Sequence, residues 1–180
     1  MHNLGEFKIL ESQRFKLRKL SLEDCTNDYL SWLQNDETSQ KYIHAAKTTP
    51  DLLALKNYVI KQSQTDTTLF LGIFLKEGNC HIGNIKYDKI SFDKSRAYMG
   101  ILIGEPSWRG KGVAGEVIVA TAQYLATQGI KLFILGVKSH NLAAIKAYQK
   151  IGFQYSDQEG VLRKPKNEDE NIFMSWHLDN

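Results

Sequence analysis

Arg109-Gly110-Lys111-Gly112-Val113-Ala114-Gly115 is a glycine-punctuated turn between the apolar run at 99–103 and an amphipathic stretch with helical spacing. A strand, such a turn and a helix, in that order, can hold a phosphate. Small residues let the backbone approach a ligand closely, and the first amides of a helix have no internal partners, so they point outward at the positive end of its dipole. The binding groups would be backbone amides of the turn. The Arg109 and Lys111 side chains either approach the phosphates or stay solvated beside the turn. No Gly-Lys-Ser/Thr closes the segment, so it is no Walker loop, and Gly110 and Gly112 lack the third glycine of a dinucleotide fingerprint.

The elements that must position this turn follow from apolar periodicity. Phe15, Leu17 and Leu20 suggest a first strand, and Ser21 with Asp24 has the form of a helix cap ahead of Tyr29, Leu30, Trp32 and Leu33. That helix is expected to end near Asn35. Thr49-Pro50-Asp51 starts a second helix, with Leu52, Leu55, Tyr58 and Val59 on one face and an end near Gln64. Strands are expected over 69–75, 80–90 and 96–103, separated by turns at 77–79 and 92–95. Val113, Val117, Thr121, Tyr124 and Leu125 then mark a helix face ending at Gly129. A strand over 131–137, a helix over 141–150, a polar mobile loop over 157–170 and a closing strand over 172–178 complete the chain. The pattern is that of one mixed α/β domain spanning 1–180.

Composition narrows the function classes. With 23 basic and 20 acidic residues among 180, the formal charge of +3 is too small, and the basic residues too scattered, to imply a nucleic-acid partner. Cys25 and Cys80 stand far apart with no CxxC or His-rich neighbourhood, so no metal site is expected and reduced thiols are. No basic-then-apolar leader begins the sequence and no apolar run reaches membrane-spanning length, so the expectation is a cytoplasmic protein without a membrane partner.

A second motif stands some thirty residues beyond the turn: Asn141-Leu-Ala-Ala144-Ile-Lys-Ala-Tyr148-Gln-Lys150-Ile-Gly152-Phe153. Here the chain resembles a known family. The turn is similar to the Arg/Gln-x-x-Gly-x-Gly/Ala pyrophosphate loop of the GNAT superfamily of N-acetyltransferases, matched by Arg109, Gly112 and Ala114. The second stretch resembles that superfamily's Asn-x-x-Ala-x-x-x-Tyr-x-Lys-x-Gly-Phe helix. The opening Phe15-Lys-Leu-Arg-Lys-Leu-Ser-Leu-Glu-Asp, the stretch Tyr29-Leu-Ser-Trp-Leu-Gln-Asn-Asp and Ile82-Gly-Asn-Ile resemble the branch containing ribosomal-protein N-terminal acetyltransferases. That branch also includes acetyltransferases of nucleotide-linked amino sugars.

The resemblance implies a mixed α+β fold: a central, mostly antiparallel twisted sheet of six or seven strands, helices on both faces and a splayed pair of parallel central strands. It implies acetyl-coenzyme A as co-substrate, its pantetheine lying along unpaired backbone at Ile101, Leu102 and Ile103, and its pyrophosphate on the glycine turn. Asn141 would contact the coenzyme, and by position it is also a helix N-cap. Tyr148 would protonate the departing thiolate; a phenol of pKa about 10 is protonated at neutral pH and can act as a positioned acid. Gly152 and Phe153 read as helix end and core.

The acceptor amine must also lose a proton, usually to a carboxylate. Many relatives carry Glu at the position of Tyr98, so the expected base is missing here. Tyr98 either hydrogen-bonds the acceptor or orders a water, or it simply fills the sheet face; strand alternation puts it with Gly100 and Leu102. The remaining base candidates are Glu105, Asp93, His81 and His44. The acceptor wall is expected within 22–65, where Trp32, Lys41, Tyr42, His44 and Lys47 could meet a substrate. Two functional readings follow: an N-acetyltransferase acting on protein N-termini or small amino compounds, or a coenzyme A-binding regulatory domain with weak or lost catalysis. Many relatives pair as dimers, which leaves a homodimer open.

Overall fold

The computed structural model describes residues 7–34, 51–166 and 171–178. Eight strands form one sheet: β1 (Leu10–Glu11), β2 (Phe15–Lys19), β3 (Leu69–Leu75), β4 (His81–Ser91), β5 (Arg96–Ile103), β6 (Leu132–Lys138), β7 (Gln154–Ser156) and β8 (Asn171–His177). Their order across the sheet is β1-β2-β3-β4-β5-β6-β8-β7. Every neighbouring pair is antiparallel except β5 and β6. The expected six or seven strands become eight because β1 and β7 are too short to leave an alternation in the sequence.

Among the described residues four helices flank the sheet: α1 (Asn27–Gln34), α2 (Leu52–Ser63), α3 (Val113–Thr127) and α4 (Leu142–Ile151). The larger core joins Leu17, Leu71, Ile85, Tyr87 and Met99 of the sheet to Val113, Val117, Ile118 and Leu125 of α3 and Ile145 of α4. On the other face Tyr29, Trp32 and Leu33 of α1 and Leu55 and Val59 of α2 cluster with Leu20 and Phe74, against which Phe70 and Leu102 pack. Residues 101 and 102 of β5 thus face opposite layers, as the pleat requires. One buried polar link ties sheet to helix: the Tyr87 hydroxyl donates to Thr121 Oγ1 at 2.7 Å, and Thr121 in turn donates to the Val117 carbonyl.

Two local expectations change. Ser21 and Asp24 do form a box, with Ser21 N and Oγ both donating to the Asp24 carboxylate, but it closes a 3-10 turn at Leu22–Asp24. The cap of α1 is Thr26, whose Oγ1 accepts from Tyr29 N. The polar stretch expected to be a mobile loop instead begins with an ordered turn. Asp157 N donates to the Val161 carbonyl, Gly160 N donates to Asp157, and the Asp157 carboxylate accepts from Glu159 N and Val161 N. The helix expected from Asp51 is present, with Asp51 Oδ1 accepting from Ala54 N.

Trp32 fixes α1 on the end of β5. Its indole lies flat on Gly104, so close that a Cβ there would sit 2.0 Å from a ring carbon. Gly104→Ala must therefore push the indole out of a packed core. The expected loss is about 1–3 kcal/mol, a fall in Tm of roughly 2–12 °C for a chain of this size; a Tm within a degree of wild type would mean the indole yields freely.

Candidate active site

The parallel pairing of β5 with β6 lasts for three rungs: Arg96 with Leu132, Ala97 with Phe133 and Tyr98 with Ile134. Beyond Tyr98 the strands part. Residues 99–103 of β5 remain paired to β4, and the rest of β6 to β8, so each wall of the opening is held from outside while its inner backbone groups have no strand partner. Such groups need water or a ligand. Ile101, Leu102 and Ile103 line the β5 wall.

The glycine turn closes one end of this opening. Pro106–Trp108 form a 3-10 turn, and Gly110 and Gly112 follow with φ of 71° and 74°. A side chain in that left-handed region is strained, so these two positions need glycine. Gly112 caps α3, and the first intrahelical bond runs from Glu116 N to the Gly112 carbonyl at 3.2 Å. The amides ahead of Glu116 have no helical partner and lie at the positive end of a fifteen-residue helix.

The Arg109 side chain turns back into the protein: Nε donates to the Ile103 carbonyl at 2.9 Å and Nη2 to the Gly104 carbonyl at 3.0 Å. It braces the junction of β5 with the turn. Lys111 extends its ammonium over the Trp108 ring at 5.4 Å. The turn itself hangs on a contact that sequence reasoning missed. Glu116 accepts from Ser12 Oγ, Arg14 N and Arg14 Nε, each at 2.7 Å, and Arg14 Nη1 donates to the Lys111 carbonyl. Burial pulls the Glu116 carboxyl up, but these donors outweigh it and hold it below the usual value. A carboxylate in the first turn of a helix was the visible signal; its partners lie about a hundred residues away.

On the far side of β6, Asn141 Oδ1 accepts from Ala144 N at 3.3 Å, so Asn141 is the N-cap expected of it. Tyr148 lies partly buried against the larger core, its ring 5.8 Å from that of Phe153. Burial pushes its hydroxyl up to about 12. At neutral pH the phenol holds its proton.

The base candidates separate clearly. Glu105 caps the 3-10 turn, its Oε1 accepting from Ser107 N and Oγ. Asp93 is exposed in the turn between β4 and β5, at the closed end of the parallel pair. His81 is enclosed: it stacks on Phe74 at 4.7 Å and meets Tyr29 and Trp32 edge to face. Its Nε2 donates to the Gly83 carbonyl and Asn84 Oδ1, while Nδ1 is buried without a partner. Tyr98 donates its hydroxyl proton to the Gln158 carbonyl at 2.5 Å. Both of these rings are thereby committed to structure. His44, with Lys41, Tyr42 and Lys47 of the expected acceptor wall, lies outside the described residues.

Two measurements test these assignments. Glu116→Gln should speed hydrogen exchange of the 110–116 amides while leaving the β4 amides protected; equal exchange in both proteins would mean the clamp does not hold the turn. Burial, the largest influence on His81, holds it below its usual 6.5. The folded protein then binds fewer protons than the unfolded chain between the two values, so stability falls as the pH drops from 6.5 toward the folded value. In urea titrations at about pH 7.5 and about pH 5.5, His81→Phe should lose less stability on acidification than wild type, and identical losses would refute the assignment.

A family model for the acetyltransferase (GNAT) domain matches residues 14–154. Among curated proteins, the mycothiol acetyltransferase of Amycolatopsis mediterranei (strain U-32) is 29% identical over 89 residues, 46% of this chain and 30% of that protein. A second mycothiol acetyltransferase, from Corynebacterium aurimucosum (strain ATCC 700975 / DSM 44827 / CIP 107346 / CN-1), is 33% identical over 57 residues, 32% of this chain and 19% of that protein. The chain thus spans less than a third of the length of the curated relatives it matches. Among solved structures, the ribosomal L7/L12 alpha-N-protein acetyltransferase RimL in complex with coenzyme A superposes with a TM-score of 0.79 at 17% identity, covering 96% of this chain and 99% of that one. The microcin C7 self-immunity acetyltransferase MccE, in complex with acetyl-CoA and AMP, gives 0.73 at 18% identity over 92% and 93%. These likenesses are of fold, while the family model takes in the opening, the glycine turn and the Asn141–Tyr148 helix; the chain belongs to the GNAT acetyltransferase family.

Proposed function

We propose that this protein is an acetyl-coenzyme A-dependent N-acetyltransferase that moves an acetyl group directly to a primary amine. The observation that carries the reading is the opening between β5 and β6, with the unpartnered amides of the glycine turn at one end and Tyr148 on the helix that follows β6. The pyrophosphate of acetyl-coenzyme A would take the amides of residues 110–114, with Lys111 the nearer cation, since Arg109 is engaged with Ile103 and Gly104. The pantetheine amides would pair with the free edge of Ile101 and Leu102, as a short added strand does, beside Ile103, whose carbonyl already accepts from Arg109. Asn141 holds the start of α4 in place and can meet the coenzyme from there.

Tyr148 has a narrower task than simple proton donation. Passing its proton from a phenol at about 12 to a thiol of pKa about 8.5 is uphill by roughly 5 kcal/mol. Its contribution is a hydrogen bond to the charge growing on sulfur, with full transfer following once the phenolate can be reprotonated. Acceptors of the expected kinds are protein N-termini and small amino compounds. The mycothiol acetyltransferases are named for a small-molecule product and RimL for a protein N-terminus, so both acceptor classes stay within the reading. Location in the cytoplasm and pairing as a homodimer belong to the same reading.

Thiol release from acetyl-coenzyme A, followed across short peptides with free N-termini and a set of amino sugars, tests the proposal. At least one amine should be turned over, and Tyr148→Phe should lower kcat by about 10²-fold with acetyl-coenzyme A affinity kept. Tight binding without thiol release from any amine would instead support the regulatory reading, and full turnover by Tyr148→Phe would remove the tyrosine from the chemistry.

A further inference from the structure

Asp88 stands directly across the strand from Tyr98. The β4–β5 register pairs Asp88 with Tyr98 and Lys86 with Gly100, then slips by one residue so that Ser91 pairs with Arg96. The slip is a β-bulge. Counting back from the Ser91–Arg96 rung without it would bring Lys89 opposite Tyr98; with it, Lys89 becomes the extra residue, held at a φ of 48°, and a carboxylate takes its place. A lysine in the left-handed region costs free energy that a regular strand would not, and bulges of this kind re-aim side chains.

Paired residues share a face, so Asp88 projects on the same side as Tyr98 and Gly100. Gly100 is exposed, and a Cβ there would meet nothing within 4 Å, so space lies open beside the rung. Lys86 orients the carboxylate from below, its Nζ 3.0 Å from Asp88 Oδ2, and both side chains are about a third exposed. Burial draws the Lys86 ammonium down, but Tyr58 and Asp88 outweigh it and hold it above its ordinary value. Lys89 crosses above the Tyr98 ring at 5.1 Å and Arg96 approaches it at 5.7 Å, so the cations that accompany the bulge are occupied with the ring. Arg96 is also paired with Glu159.

We propose that Asp88 is the carboxylate that receives the acceptor's proton, standing one strand over from Tyr98, where the resemblance implies a glutamate. The inference rests on the acetyltransferase reading above. As the amine nitrogen attacks the thioester carbonyl carbon, the C–N bond forms and the C–S bond breaks with its electron pair on sulfur. The N–H proton passes to an Asp88 oxygen, directly or through one water, and on to solvent; sulfur takes a proton to complete the free thiol.

The test uses the full chain, acetyl-coenzyme A and whichever peptide or amino sugar the wild-type protein turns over. Asp88→Asn should lower kcat by about 10²-fold while the KM for the amine stays within a few-fold and calorimetric binding of acetyl-coenzyme A is unchanged. A carboxylate restored nearby should recover the rate at least tenfold, whether by Asp88→Glu or by adding Tyr98→Glu to Asp88→Asn. Unchanged turnover in Asp88→Asn overturns the proposal, as does a rise in KM alone, which would make Asp88 an ammonium anchor. Loss of acetyl-coenzyme A binding, or failure of both carboxylates to recover the rate, overturns it too. If wild type releases no thiol from any amine, the acetyltransferase reading fails and Asp88 falls with it, an outcome distinct from a working enzyme indifferent to Asp88.

Discussion

The short parallel seam between β5 and β6 is the constraint on which the rest depends. Three rungs join an antiparallel block, β1 to β5, to a second antiparallel block, β6 with β8 and β7. Each block twists on its own, and the seam is their only strand-to-strand pairing among the described residues, so the strands diverge once the rungs end. A longer seam would close the opening and a missing one would let the blocks part. The unpaired backbone along residues 99–102 is an open sheet edge inside the molecule, and such an edge is tolerated where it is solvated or filled by another strand-like group. A pantetheine arm has amides at the spacing to do this.

The seam is reinforced by contacts with the turn at 157–160, mostly to its backbone carbonyls. Tyr98 bonds to the Gln158 carbonyl and Arg96 to Glu159, while Ser175 of β8 donates to the Gly160 carbonyl. Gly160, at a φ of 87°, lies so close to Leu132 and Ile134 that a Cβ would come within 2.9 Å of Leu132. The first and last rungs of the seam therefore each contribute a side chain, Arg96 and Tyr98, to one turn. The opposite end of β5 is held in a comparable way, with Arg109 bonded to the carbonyls of Ile103 and Gly104 and Trp32 resting on Gly104. β5 is fixed at both ends and free only along the edge where a ligand would bind, the arrangement that lets backbone groups present a preformed geometry.

What the sequence made legible was local. The glycine turn, the Asn141 cap and the alternation of β5 each depend on a few consecutive residues, and each is where it was expected. The sequence was silent on contacts joined across long separations: Glu116 with Ser12 and Arg14, Arg109 folding back on Ile103, and Tyr98 reaching Gln158. No periodicity records such pairs. His81 shows the opposite failure. Its type suggested a base, yet the chemistry of an imidazole is set by its surroundings, and here the ring packs against three aromatic rings with Nε2 bonded to Gly83 and Asn84. The Asp88–Tyr98 rung lies between these cases. The turn at 92–95 was visible, and counting outward from it gives the pairing, but a bulge of one residue exchanges a lysine for an aspartate. A shift of one position reverses the chemistry of a strand face.

The substitution of tyrosine at position 98 makes sense only in terms of both neighbours. A carboxylate on that rung would have faced Asp88 directly across the strand, and like charges in that relation are destabilising. It would also have left the Gln158 carbonyl without a donor, since a carboxylate at neutral pH accepts and does not donate. Tyrosine supplies the donor, provides a ring on which Lys89 and Arg96 settle, and brings no second negative charge. With one carboxylate on the rung in place of two, Asp88 faces no like charge across the strand and is held by Lys86 on the side where Gly100 leaves space. Position 98 thus serves the seam and position 88 the opening, and the bulge at Lys89 is what allows the two roles to reside on different strands.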